Sequence, residues 1–256
     1  MAKTQEMTYG RPFPLIIKFA LPLIAGNILQ QTYSLVDAAI VGKNLDIQSL
    51  AAIGASSSVM FFILGFCNGC GAGFGIPIAQ KFGARDYTTM RRYVNTSLKI
   101  AGVLSLLITI VTTILCRRIL QWLSTPEDVM EGAYSYLLIT FIGIPATFFY
   151  NLLSSIIRAL GDSKTPFYFL ILSTVLNIGL DFLLILGFKL GVGGASAATL
   201  LSQLLSAVAC WVYMRRSFPI LKSTADEQRF RWVTHGYCSA SECRWDCSFR
   251  LRQSAL

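Results

Sequence analysis

Six long apolar stretches, near residues 13–41, 50–80, 94–116, 134–157, 167–188 and 192–214, divide this chain and leave only short polar connections between them. Crossing the hydrocarbon of a bilayer takes about 20 predominantly apolar residues in helical form, and each stretch is long enough. In lipid the backbone must satisfy its own hydrogen bonds, so stretches of this kind form helices. The expected fold is therefore all-α, a polytopic membrane protein built as a six-transmembrane-helix bundle. Composition agrees. The chain is 54% hydrophobic and 14% charged, where a soluble domain carries about a quarter charged residues. The first residues are polar and the first apolar run is too long for a cleavable leader.

The net charge of +9 does not point to nucleic acid, because it sits in the short connections where Lys and Arg set membrane orientation. Lys81, Arg85, Arg91 and Arg92 follow the second stretch, Arg158 and Lys164 the fourth, and Arg215 and Arg216 the sixth, while Lys3 and Arg11 precede the first. The alternate connections hold Lys43, Arg117, Arg118 and Lys189. The richer set marks the cytoplasm. Both termini are expected there, with the chain multi-pass in the cytoplasmic membrane.

The first stretch contains a carboxylate. Within Asn27-Ile-Leu-Gln-Gln-Thr-Tyr-Ser-Leu-Val-Asp37, helical spacing puts Asn27, Gln30, Ser34 and Asp37 on one stripe with Tyr33 one turn before the acid. Ile28, Leu35, Ile40 and Val41 form the opposite face, expected to meet lipid. A charge at bilayer depth is costly, so Asp37 should face protein or a water-filled cavity. Pro22 lies early enough in the same stretch to bend it. A second deep acid, Asp181, follows Thr174 and Asn177 at spacings of three and four. Each acid could be a structural group held by amides and hydroxyls. Read together they suggest an ion site. Burial disfavours the charged form of a carboxyl, so such a group can carry a proton, and amide and hydroxyl oxygens can ligate a small cation such as Na⁺. Occupancy of a site like this can couple an ion gradient to movement of a second solute.

Other features carry less. Gly65, Gly69, Gly71, Gly73 and Gly75 in the second stretch would let helices approach closely and ease bending. Ser124-Thr-Pro-Glu127 reads as a helix start with a hydroxyl cap and Pro126 in the first turn. Arg158-Ala-Leu-Gly-Asp-Ser-Lys-Thr-Pro166 should end one helix at Gly161 and start the next near Pro166. Cys67, Cys70, Cys116 and Cys210 fall in or beside apolar stretches, where single Cys packs as a small hydrophobe; the Cys67–Cys70 spacing lacks the βαβ setting of a redox pair. Composition changes after Lys222. Residues 222–256 lose the apolar pattern and gather Cys238, Cys243, Cys247 and His235 without paired zinc-ligand spacing. They read as a tail outside the fold of residues 1–221, disordered or produced by a shifted frame.

Tyr33-Ser-Leu-Val-Asp-Ala-Ala-Ile-Val-Gly42 resembles the first helix of the multidrug and toxic compound extrusion (MATE) family, prokaryotic branch. Ala79-Gln-Lys-Phe-Gly-Ala-Arg85, the Arg158–Pro166 loop, Asn177-Ile-Gly-Leu-Asp181 and Gly191-Val-Gly-Gly-Ala-Ser-Ala-Ala-Thr199 are similar to later family segments, in order. The resemblance covers about residues 12–221. It implies one lobe of a twelve-helix antiporter that exports organic, cationic compounds against H⁺ or Na⁺, with no other cofactor. It implies a cation- or proton-binding cluster of Tyr33, Asp37, Asn177, Asp181 and Thr199, with any Na⁺ at Asp37, and a substrate cavity touching Gln30, Phe149 and Tyr150. The partners would be a small organic substrate, membrane lipid and the missing C-terminal lobe. On this reading the chain is a truncated and inactive form. Rival readings are a lipid-linked saccharide flippase, which would want a basic cavity, a non-functional fragment, and an enzyme. The last lacks a nucleophile-and-base set, since the one His, His235, lies in the tail.

Overall fold

A computed structural model describes residues 12–44, 47–188 and 190–221. Its helices are α1 (Pro12–Asn44), α2 (Ile47–Gly83), α3 (Tyr87–Trp122), α4 (Glu127–Ile142), α5 (Ile144–Ala159), α6 (Lys164–Asp181) and α7 (Gly191–Ser217). A π-helical stretch, Phe182–Gly187, prolongs α6, and a short 3₁₀ turn, Pro219–Leu221, follows α7. Five of the described helices are long and apolar enough to span a membrane, and α4 with α5, bent by 45° at their junction, are together long and apolar enough for a sixth. The tail beyond Leu221, including Cys238, Cys243, Cys247 and His235, lies outside the described residues.

The turns show how the chain reverses between spans. After α2, α3 and α5 the residues Arg85, Ser124 and Gly161 adopt positive φ of 57°, 52° and 87°. Each turns its own amide and the next one back on the last helical turn, as when Gly161 N bonds Arg158 O at 3.0 Å and Asp162 N bonds Ile157 O at 3.2 Å. The stop at Gly161 is as expected. Asp162 Oδ1 then accepts from Lys164 N at 3.1 Å and Thr165 N at 3.0 Å, which starts α6. The expected hydroxyl cap before α4 does not form. Ser124 is spent on the left-handed turn, Thr125 Oγ1 has no partner, and Pro126 precedes the helix instead of entering it.

α3 begins seven residues before the apolar run at Val94, because Asp86 caps it: Thr89 N donates to Asp86 Oδ1 at 3.1 Å. The Thr89 hydroxyl and amide hold the Asp86 carboxyl below its ordinary pKa, with Lys81 assisting. A depressed folded-state pKa contributes stability above the unfolded value, and that stability is lost as pH falls through the folded one. Asp86→Ala is therefore expected to lower the melting temperature at pH 7 and to flatten its acid dependence, measured by thermal unfolding in detergent.

α2 and α5 form the densest helix pair of the lobe, and glycine explains why. A Cβ on Gly71 would sit 3.3 Å from Asn151 O, and one on Gly75 would sit 3.5 Å from Ser155 Cβ and O. Gly65, Gly69 and Gly73 meet nothing within 4 Å, so close packing rests on two of the five glycines. Gly71→Val should force these helices apart at a cost of about 1–3 kcal/mol, read as a lower melting temperature with Gly73→Ala as control. The core around them includes Phe141, Phe148, Leu152 and Ile156, with Cys67, Cys116 and Cys210 fully buried. Ile28 and Leu35 are exposed as expected for a lipid face, but Ile40 and Val41 are buried against Ile185 and Ala195. The two pairs lie on different sides because α1 turns its last residues into the lobe.

Candidate ion site

α1 brings Tyr33 and Asp37 into the lobe at spacing four, while Asn27, Gln30 and Ser34 of the same stretch stay exposed. The sequence stripe thus splits: two members face the interior and three face outward, with Ser34 Oγ bonded to Gln30 O at 3.1 Å. α6 supplies Asn177 and Asp181, buried to 1% and 0% exposure. Thr174, grouped with them on spacing, turns its hydroxyl back to Leu170 O at 3.0 Å and takes no part. Ser173 shares the buried face of α6 instead.

Thr199 of α7 joins the three helices. Its hydroxyl donates to Ala195 O at 3.1 Å. That uses its one proton, so the contact with Tyr33 Oη at 3.1 Å has the tyrosine as donor. Asn177 Nδ2 donates to the same oxygen at 3.2 Å. Thr199 Oγ1 therefore ties α1 and α6 to α7 at a single atom.

The carboxyls of Asp37 and Asp181 lie within hydrogen-bonding reach of each other. Asp37 Oδ1, both carboxyl oxygens of Asp181 and Asn177 Oδ1 are buried and have no donor. A carboxylate can only accept. Two of them side by side, with no donor supplied, cannot both remain ionised and unpaired in a low-dielectric site. The arrangement calls for a proton shared between them or a small cation taken by their oxygens.

All five residues expected for the ion cluster are thus brought together. Tyr136 of α4, which the sequence did not single out, lies near enough to Asp37 and Asp181 to interact with both electrostatically. It lies far from either acid in the chain and belongs to no polar stripe, so only the packing of α4 reveals it. The residues expected for the substrate cavity are not brought together. Gln30 is exposed on α1. Phe149 stacks on Trp211 at 5.5 Å and lines an apolar recess of about 350 Å³ between α3, α5 and α7. Tyr150 points into the lobe, where its hydroxyl donates to Pro166 O at 3.3 Å. Phe149 thus faces the apolar recess, and Tyr150 faces the interior of the lobe.

The MatE family profile matches residues 22–183. The chain is 35% identical over 202 residues to the probable multidrug resistance protein YoeA of Bacillus subtilis, covering 77% of this chain and 44% of that one. It is 26% identical over 222 residues to the multidrug export protein MepA of Staphylococcus aureus, covering 86% and 49%. Among solved structures, MATE in its straight conformation superposes with a TM-score of 0.80 at 28% identity, over 89% of this chain and 50% of that one. The chain spans about half the length of the relatives it matches.

Proposed function

The chain belongs to the MATE family of membrane transporters, and from that premise we propose that it forms the ion-coupling lobe of an antiporter exporting organic cations. The observation that carries this reading is the Asp37–Asp181 pair, three of whose four carboxyl oxygens are buried without a donor. The pair would take H⁺ or Na⁺, and Tyr33, Asn177 and Thr199 would hold its frame. Tyr136 completes the surround. Because Tyr33 reaches Thr199 from α1, a change of charge at Asp37 would alter how α1 seats on α6 and α7. Pro22, inside α1, offers the point at which the helix can bend in response.

Alternating access takes two lobes moving about a cleft, and the described residues form one. The exposed polar side of α1, with Asn27, Gln30 and Ser34, is suited to line that cleft, and a second six-helix unit would supply the opposite wall. Deep acids and the absence of deep basic groups from α1 suit cationic over anionic cargo. The excess of basic residues in alternate connections supports a cytoplasmic position for both ends of the lobe. The test is efflux of a fluorescent organic cation from vesicles under an imposed H⁺ gradient, an imposed Na⁺ gradient, or neither. Efflux that follows one gradient supports the reading and names the ion. Efflux indifferent to both contradicts it.

A further inference from the structure

The ion site is one end of a longer polar feature inside the lobe. On α7, Thr199, Ser202, Ser206 and Cys210 recur at spacings of three and four and so lie on one stripe, the last three buried. On α6, Ser173 continues the buried stripe of Asn177 and Asp181 at spacing four. On α5, Tyr150 and Ser154 are buried at the same spacing, and the half-buried Arg158 follows four residues on. The three helices pack on one another, and each stripe runs toward the loop end that carries the basic residues. From Thr199 to Cys210 is about 16 Å along the α7 axis.

Several groups along this line are not satisfied by protein. Ser206 Oγ has no hydrogen-bond partner although it is buried, and Gln203 Oε1 between Thr199 and Ser206 is equally alone. Tyr150 lies next to Ser154 but gives its proton to Pro166 O. Within the α7 stripe, Ser202 bonds its own helix, donating to Thr199 O at 2.9 Å. Buried polar groups that protein leaves alone are ordinarily bridged by ordered water. At the far end stands Arg158. Its guanidinium donates to Ser155 Oγ at 3.0 Å and faces Tyr150 and Cys210. No carboxylate among the described residues pairs with it: Asp162, four residues on, is engaged by Lys164 N and by Thr165 through its amide and hydroxyl. At the other end Tyr33 and Tyr136 face the acid pair.

We propose that a water-bridged polar file runs through the lobe from the acid pair to Arg158, and that Arg158 is the fixed positive charge that stops protons from crossing it. Hydroxyls and water in line pass protons readily. An exchanger with such a file open at both ends would dissipate the gradient it uses. A cation held at the mouth repels hydronium and leaves neutral water free to enter. The inference rests on the reading of Asp37 and Asp181 as an ion-exchanging pair. Arg158 acts here through the file and is a positioning charge, with no contact to cargo.

The full chain is reconstituted into vesicles holding a pH-sensitive dye, and decay of an imposed pH gradient is followed with the membrane potential clamped. The wild-type protein is expected to decay like protein-free vesicles. Arg158→Gln should decay at least about tenfold faster, Arg158→Lys should match the wild type, and Ser206→Leu added to Arg158→Gln should restore slow decay. A folded Arg158→Gln protein that is no leakier than the wild type overturns the proposal, as does a leak that Ser206→Leu leaves unchanged. Should Arg158→Gln fail to fold, radiolytic hydroxyl-radical labelling of the wild-type protein decides. Cys210 should label although buried, while Cys67 and Cys116, buried to the same degree in α2 and α3, should not. Equal protection of all three overturns the file. Neither readout needs export, so a protein showing both effects without export would contradict the exporter reading alone.

Discussion

Asp37→Asn is expected to reduce ion-driven export of an organic cation to the rate of protein-free vesicles. The substitution keeps the size of the side chain and gives it a donor, so the amide can bond Asp181 directly and the site stays filled. What disappears is the change of charge with ion occupancy. With no such change the seating of α1 no longer depends on the gradient, and the lobe loses its link between ion and cargo. The measurement is gradient-driven efflux in the assembly that exports, with folding checked by size-exclusion chromatography. Binding of cargo without transport is compatible with this account. Export at the wild-type rate is not.

Thr199→Val should release α1 from the lobe. Thr199 Oγ1 accepts from both Tyr33 and Asn177, and valine fills the same volume without accepting from either. Each donor stranded in the interior costs about 1–3 kcal/mol, which is roughly a 5- to 150-fold increase in local opening. The effect should fall on α1, because only 6% of its apolar window is buried in the lobe, and apart from this tie it is held by the packing around Ile40 and Val41. Hydrogen–deuterium exchange in lipid nanodiscs reads this directly: amides near Tyr33 should exchange faster, and those of the α2–α5 core should not. Thr199→Ser keeps the acceptor and should exchange like the wild type. Faster exchange spread evenly over all helices would mean general unfolding and would contradict the specific tie.

Much of the site was legible because membrane insertion makes deep polar groups conspicuous. Asp37 and Asp181 stand out in apolar runs, and the residues one turn before them, Tyr33 and Asn177, are in fact their neighbours in space. Six spans were readable from length alone. What stayed hidden depends on how helices rotate and bend. The fourth span reads as one apolar run, yet it breaks at Gly143, whose Cβ would come 3.1 Å from Thr140 O, ahead of Pro145 in the first turn of α5. The π-helical stretch after Asp181 likewise has no sequence mark. Ile40 and Val41 were assigned to lipid on periodicity, which gives the width of a face and not the partner it meets. Thr174 shows the same limit: spacing placed it with Asn177 and Asp181, and its bond to Leu170 O removes it.

Infrared difference spectroscopy on the protein in nanodiscs tests the central claim, that the Asp37–Asp181 pair is the ion site. Spectra are recorded for acidification and separately for addition of Na⁺, in the wild type, in Asp37→Asn and in Asp181→Asn. The account predicts a carboxyl difference band for at least one of the two ions, lost in both variants because the carboxyls respond as a pair. A carboxyl band that survives both substitutions, or no band with either ion, would contradict it.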